Sequence, residues 1–313
     1  MKISVILCTY NRFQSLLKAL DSVAAQTLPE SVEWEVLVVD NNSRDKTRDV
    51  VEDFCRRHPS HFRYLFEPQQ GKSYALNAGI REAKGEILAF MDDDVTVDPR
   101  WLDNLTAPLR SGEWAGSGGR TISAQTFTPP DWLAPDGPYS MMGVVYAHFD
   151  LGDKPCELDQ APYGTNMAFS RGMFEKYGGF RIDLGPSPGN EIRGEDTEFG
   201  RRLMAAGERL RYEPSAVVYH SLPEGRVSKE FFLTWWFAYG RALVREWGCG
   251  PAVLGIPRPH LNILKLGTTT MAQRIRRWML SLNPKRRFYY KCRVWLTAGQ
   301  IREYYRLARS TQV

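Results

Sequence analysis

Three carboxylates in a row, Asp92-Asp93-Asp94, follow directly on the apolar run Ile87-Leu88-Ala89-Phe90-Met91. Adjacent carboxylates repel and cannot be desolvated without a cation, so the triplet is not a core feature. At the end of a buried strand it makes a hard-oxygen site for Mg²⁺ or Mn²⁺, of the kind that keeps waters and accepts phosphate oxygens. Alone, the same triplet also reads as a solvated acidic turn. Two more polar clusters stand in the same relation to apolar runs: Thr9-Tyr10-Asn11-Arg12 after residues 3–7, and Asp40-Asn41-Asn42-Ser43 after residues 34–39.

The elements that must position these clusters alternate. Phe13, Leu16, Leu17, Leu20, Val23 and Ala24 recur three or four apart, which predicts a helix closed by Pro29. Val50, Val51 and Phe54 predict a second helix, residues 62–66 a third strand and residues 74–83 a third helix, with residues 87–91 as the fourth strand. Nearly all-apolar strands separated by amphipathic helices predict an α/β fold, a mostly parallel sheet with helices on both faces. Ligands bind such sheets beyond the carboxyl ends of the strands, where all three polar clusters lie.

Residues 124–163 are different: six prolines, several glycines, and Trp132, Tyr139 and Met141-Met142 make this a long irregular segment, read as a binding loop with Trp132 as a candidate sugar contact. Beyond it, residues 193–207 predict a helix with Gly at its end, and residues 211–219 a strand terminating in His220. From residue 228 onward the pattern is helical.

Composition is ordinary for a globular chain of 313 residues, with 43% hydrophobic and 25% charged residues, which excludes disordered, collagenous and disulfide-scaffold classes. No apolar run is long enough to span a membrane, and the apolar start, interrupted by Asn11-Arg12, is too short for a signal peptide. Five scattered cysteines, Cys8, Cys55, Cys156, Cys249 and Cys292, form no C-x-x-C pair and fit a reducing, cytoplasmic setting. The net charge of +5 conceals an asymmetry: from Lys265 onward twelve Lys/Arg face Glu303 alone, +11, leaving −6 for the rest. Basic residues interleaved with Trp278, Phe288, Tyr289, Tyr290 and Trp295 suit peripheral attachment to an anionic membrane surface, at the inner face of the cytoplasmic membrane, or a solvated helical hairpin packing its aromatics. The acidic body argues against nucleic acid.

The runs Val5–Arg12, Val38–Ser43, Gly71-Lys72 with Leu76-Asn77-Ala78-Gly79-Ile80, and Ala89–Asp94 resemble, in order and spacing, family 2 glycosyltransferases of the GT-A fold. The resemblance covers roughly the first 220 residues. It implies a Rossmann-like GT-A domain at 1–225, followed by a helical, basic extension at 226–313. It also implies an inverting transferase that uses a divalent metal, Mn²⁺ or Mg²⁺, and a nucleotide-diphospho-sugar linked to UDP, dTDP or GDP. By this likeness Thr9, Tyr10 and Asp40 hold the nucleoside, with Asp40 on the base. Asp92 contacts the ribose or a metal-bound water, and Asp94 ligates the metal. Asn11, Arg12, Asn42, Gly71, Lys72, Asn77 and Asp93, from the same motifs, are counted with the donor site.

Two later segments extend the likeness. Gly164-Thr165-Asn166 resembles the segment lining donor sugar and acceptor, and Arg193-Gly194-Glu195-Asp196 the family's acidic base motif. Inversion needs a carboxylate to take the acceptor's proton, and Asp196 is the expected base with Glu195 as its neighbour or substitute. Acids also favour the first turn of a helix through its dipole, but that does not account for the preceding Arg193-Gly194. A lone strand-end histidine is usually structural; the family likeness makes His220 a candidate metal or diphosphate contact. The acceptor implied is a hydroxyl of a glycan or a lipid-linked precursor, in cell-surface polysaccharide or glycoconjugate synthesis. Two other readings use the same residues: a non-catalytic sugar-nucleotide-binding or membrane-scaffold protein with the same fold, and a nucleotidyltransferase. Against the latter, the Gly-rich basic phosphate loop after the first strand is missing. Gly71-Lys72-Ser73 is not a P-loop, since Phe66 stands where its first Gly is required, and Gly116-Ser117-Gly118-Gly119 lacks the full dinucleotide fingerprint.

Overall fold

The computed structural model describes residues 1–145, 147–222, 225–248, 250 and 258–310. The chain divides into two compact units: Met1–Gln125 with Tyr146–Pro188 and Gly194–Ser221, and Thr126–Val145 with Gly189–Arg193 and Leu222–Val313. The second unit thus gathers 126–145 and 189–193, which the sequence reading assigned to the first.

The first unit is built on one mixed sheet. Strands β1 (Lys2–Thr9), β2 (Glu33–Asp40), β3 (Phe62–Phe66) and β4 (Ile87–Asp92) alternate with helices α1 (Phe13–Ala24), α2 (Thr47–Arg57) and α3 (Lys72–Glu82). Then come β5 (Val95–Val97), α4 (Trp101–Arg110) and β6 (Gly116–Ser123). After the second unit's short α5 (Met142–Val145), the first resumes with β7 (Cys156–Glu157), β8 (Met167–Ser170), α6 (Arg171–Tyr177), α7 (Glu195–Ala205) and β9 (Leu210–His220). The strand order is β3-β2-β1-β4-β8-β6-β9-β5, with β7 on β9. Pairing is parallel from β3 to β4 and between β6 and β9; β8, β5 and β7 pair antiparallel. This is the expected α/β, GT-A-like architecture; in its mixed half β9 matches the strand expected over residues 211–219, while β5, β6, β7 and β8 had no counterpart in the sequence pattern.

Alternation along the strands builds two cores. Ile3, Val5, Leu7, Val36 and Val38 face α1, α2 and α4, where Leu16, Leu20, Phe54 and Trp101 meet them. Ile6, Leu37, Val39 and Phe90 face the other way, onto Leu76, Phe174, Phe199 and Leu203. Each such fully buried side chain contributes about 1.5–3 kcal/mol of transfer free energy. The first helix stops at Ala24, before Pro29, so the proline lies in the following turn and not at the helix end. Because β1 pairs with β2 on one side and β4 on the other, with Thr9 opposite Asp40 and Cys8 opposite Asp92, the three polar clusters converge at a topological switch point.

The second unit is helical: α8 (Lys229–Trp247), α9 (Arg258–Lys265), a π-helical turn (Leu266–Thr270), α10 (Met271–Leu280) and α11 (Pro284–Ser310). Helices α8 and α11 cross at Gly240 and Gly299. A Cβ on Gly240 would lie 2.1 Å from Leu296 O, and one on Gly299 2.0 Å from Phe237 O. The aromatics of the 126–145 segment pack into this unit: Trp132 meets Phe232 and Phe288 edge-on, and Tyr139 meets Tyr289 and Tyr290. Among the described residues Cys8, Cys55, Cys156 and Cys292 are free thiols; Cys249 lies outside them.

Candidate active site

The acidic triplet is held by two cations. Arg12 Nη1 reaches Asp93 Oδ1 at 3.2 Å and Asp94 Oδ2 at 3.1 Å. The Thr9 hydroxyl donates to Asp93 Oδ2 at 2.7 Å. Lys72, the first residue of α3, donates to Asp92 Oδ1 at 2.7 Å and lies 3.5 Å from Glu195 Oε1 at the start of α7. Burial works against the charge on Lys72, but Asp92 and Glu195 outweigh it and hold the ammonium well above the ordinary lysine range. Burial would likewise raise Asp92, yet Lys72 draws it below the ordinary carboxylate range. Asp93 is pushed up to about 6, by burial first, with Arg12 pulling against it and Asp94 adding to it. Glu195 is raised by burial, which Lys72 only partly counters.

Asp94 meets His220 where β5 pairs antiparallel with β9. His220 Nε2 lies 3.6 Å from Asp94 Oδ1, and His220 Nδ1 donates to Ser221 O across 2.6 Å. A carbonyl can only accept, so Nδ1 carries the proton of this bond and Nε2 is the atom that faces the carboxylate oxygen. The strand pairing thus brings Asp94 and His220 side by side. Among the described residues, no group of three or more His, Cys, Asp or Glu side chains is placed to hold a metal ion, and Asp94 with His220 is a pair. An ion at this pair would need phosphate oxygens and water to complete its shell.

At the other end of the site, Asp196 stands half-buried in the first turn of α7. Its Oδ2 accepts from Gly164 N at 2.6 Å and its Oδ1 from Thr197 N at 2.7 Å. Two backbone donors fix the carboxylate and leave it further lone pairs to accept a proton. A Cβ at Gly164 would lie 2.9 Å from Asp196 Oδ2, so a side chain there would displace the carboxylate.

Several of the expected ligand contacts make hydrogen bonds within the protein. Asn166 is 1% exposed and saturated: Oδ1 accepts from Trp101 Nε1, and Nδ2 donates to Arg120 O and Ala216 O. Thr165 is buried beside Thr121. Asn77 clamps both the N–H and the C=O of Phe180. Thr9 is spent on Asp93, and Asp92 sits with Lys72 and not between Asp94 and His220. Asp40, 2% exposed, accepts from Ser43 N and the Tyr64 hydroxyl. Asn42 donates to Pro68 O, and Asn11 accepts from Arg44 N; both asparagines take positive φ, a conformation Asn tolerates better than most residues. Tyr10 is exposed. Trp132 belongs to the second unit and is packed among its aromatics.

Two residues of the frame carried no assignment from sequence. Asn41, buried, accepts from Gly71 N and donates to Glu67 O and Gln69 O, fixing the loop that leads to Lys72. Tyr64 reaches Asp40 from the neighbouring strand, a relation set by the β2–β3 register and invisible in a linear reading.

The family model for glycosyl transferase family 2 matches residues 4–178, which include the triplet, Lys72 and Gly164. The chain belongs to glycosyltransferase family 2. This family 2 glycosyltransferase is 29% identical over 255 residues to the glucosyl-dolichyl phosphate glucuronosyltransferase of Haloferax volcanii, covering 78% of this chain and 77% of that one. It is 30% identical over 229 residues to the succinoglycan biosynthesis protein ExoM of Rhizobium meliloti, covering 73% and 69%. Among solved structures, the mannosyltransferase PcManGT of Pyrobaculum calidifontis, in complex with GDP-Man and Mn²⁺, superposes with a TM-score of 0.57 at 20% identity, covering 99% of this chain and 75% of that one. That last likeness carries the GT-A fold alone. Its relatives act in polysaccharide and glycoconjugate synthesis, and the chain is a glycosyltransferase enzyme.

Proposed function

We propose that the enzyme transfers a sugar, with inversion, from a nucleotide-diphospho-sugar to a hydroxyl of a glycan or lipid-linked acceptor, in a metal-dependent reaction. The observation that carries the reading is Lys72. By contacting Asp92 at 2.7 Å and Glu195 at 3.5 Å, it ties the strand-end triplet to the helix that bears Asp196. The phosphate-facing and proton-accepting groups then belong to one site.

In this reading Asp94 and His220 would hold the cation, which would offset the negative charge that builds on the leaving diphosphate. Asp196 takes the proton of the acceptor hydroxyl as that oxygen forms its bond to the anomeric carbon, from the face opposite the diphosphate. The bond to the diphosphate breaks and its electron pair leaves with the nucleoside diphosphate. Glu195, buried against Lys72, orients the start of α7 and is not itself the base. Tyr10 and the strand-end turns at Asn11 and Asn42 frame the nucleoside, while Asp40 shapes that pocket through Ser43 and Tyr64. PcManGT was captured with GDP-Man and Mn²⁺, and the Haloferax relative is named for a lipid-phosphate-linked acceptor; both support this choice of donor and acceptor class.

Thermal unfolding with UDP, GDP, dTDP and CDP, each with and without Mn²⁺, tests the donor site. Ligand at one hundred times its Kd adds about 2.7 kcal/mol of stability, and the reading expects one nucleotide to act in the presence of metal. A shift that persists in Asp94→Asn without metal dependence contradicts the cation site. Release of pyrophosphate in place of nucleoside diphosphate during turnover assigns the chain to nucleotidyl transfer.

A further inference from the structure

The turn between α10 and α11 displays apolar side chains in a field of positive charge. Met279, Leu280 and Leu282 are 61%, 68% and 96% exposed, and Ile275 lies one helical turn before Met279. The turn is firmly built: Ser281 Oγ bonds Arg277 O, and Asn283 Oδ1 accepts from Arg286 N, capping α11 ahead of Pro284 at its first position. Leu282 is therefore held outward by an ordered, capped turn.

Beside it lies a hollow of about 660 Å³ lined by Arg276, Arg277, Leu280, Leu282, Asn283 and Arg286. A second hollow of about 600 Å³ lies between Lys285 and Arg286 on one side and Tyr139 and Asp136 on the other. Arg286 stacks 5.7 Å over both Tyr139 and Tyr290, and Arg277 lies 5.7 Å over Tyr290. These partners orient the guanidinium groups without neutralising them. No Asp or Glu occurs from Pro259 to Arg302. Among the described residues, no ion pair engages Arg276, Arg277, Lys285, Arg286 or Arg287.

We propose that this turn is a docking site for an anionic phospholipid surface: Leu280, Leu282 and Met279 enter the headgroup boundary, and Arg276, Arg277 and Arg286 take lipid phosphates in the adjoining hollow. Membrane attachment of moderate strength needs two signals, a small apolar insertion and a basic patch, and both meet here within one turn. A second copy of the chain is a poor occupant, because a symmetric contact sets this uncompensated positive face against itself. Nucleic acid would use the arginines but has no use for Leu282. No described helix is long and apolar enough to cross a membrane, so attachment through this turn is peripheral. The proposal does not depend on the sugar-transfer reading.

Co-sedimentation of the full chain with vesicles of phosphatidylcholine alone, or mixed with phosphatidylglycerol, tests it. Binding should favour the anionic vesicles by at least about tenfold and weaken with salt. The pair Leu280→Ser with Leu282→Ser, which keeps every charge, should lose about tenfold of that binding. Arg276→Gln with Arg277→Gln should lose a similar factor. Melting temperatures should match the wild type for both pairs, since the side chains are exposed. Equal binding to both vesicle types, no binding to either, or undiminished binding by the serine pair overturns the proposal. So does a DNA duplex that binds wild type and serine pair alike, and more tightly than vesicles.

Discussion

The backbone N–H of Gly164 donates to Asp196 Oδ2 across 2.6 Å, and a methyl group on Gly164 would come within 2.9 Å of the same oxygen. The glycine of the segment preceding β8 thus sets where the carboxylate on α7 stands. Gly164→Ala should push that carboxylate aside. Misplacement of a reacting group by about 1 Å costs on the order of a hundredfold in rate, so the smaller displacement required here should lower kcat by about tenfold. Nucleotide-induced thermal shifts should stay near wild type, because Asp94 and His220 are untouched. Steady-state kinetics beside a melting series separates the two effects.

Glu303 is buried in the second unit and bonded by Arg241 at 3.0 Å, by Arg245 at 2.8 Å and by Arg306. Burial alone would raise its carboxyl, but the bonds from Arg245, Arg306 and Arg241 outweigh it and lower the pKa. A lowered folded-state value contributes stability that is fully present above the unfolded glutamate value of about 4.3 and lost as the pH falls through the folded value. Glu303→Gln leaves three guanidinium groups facing one another. It should cost about 3 kcal/mol near neutral pH, the low end for a broken buried pair because Arg306 remains half-exposed. The two stability curves should converge as the pH drops below about 4. Denaturant melts across pH check both the size and the convergence.

At the crossing of α8 and α11, two glycines sit inside helices although each costs about 1 kcal/mol relative to alanine in propensity. Packing reverses that preference, since a Cβ on either would lie close to 2 Å from a carbonyl oxygen of the partner helix. Gly240→Ala should therefore destabilise by about 1–3 kcal/mol, in line with overpacked contacts, and not stabilise as helix propensity alone would have it. Gly299→Ala should do the same. Chemical denaturation midpoints give the sign directly.

The strands that carry the triplet and its companions were legible because their buried positions form unbroken apolar runs ending in polar clusters. Strand β6 was not: Gly116, Gly118 and Gly119 have little intrinsic β preference. The strand is held by its pairing with β8 and β9, and its glycines leave room for Phe169, Pro162 and Asn166. The same kind of long-range relation hid the roles within the site. Asp94 and His220 were both candidates, but only the β5–β9 pairing brings them together. Asn166 and Asn77 belong to motifs, and the bonds by which Asn166 holds Trp101, Arg120 and Ala216, and Asn77 holds Phe180, span stretches of chain that a linear reading does not join. Trp132 drew notice as an aromatic in a proline-rich loop, a signal that composition cannot separate from the packing it makes with Phe232 and Phe288.

Asp196, proposed as the proton acceptor, is the residue whose replacement is most informative. Asp196→Asn preserves shape and the hydrogen bond from Gly164 while removing the base. Wild type and variant should be incubated with UDP-, GDP- and dTDP-linked sugars, Mn²⁺ and a lipid and glycan extract, and nucleoside diphosphate release and sugar incorporation measured together. The variant should lose transfer by at least about a hundredfold, the lower bound for a general base, while keeping the wild-type thermal shift with the productive nucleotide. Transfer at the wild-type rate by Asp196→Asn would contradict the account and place the base elsewhere.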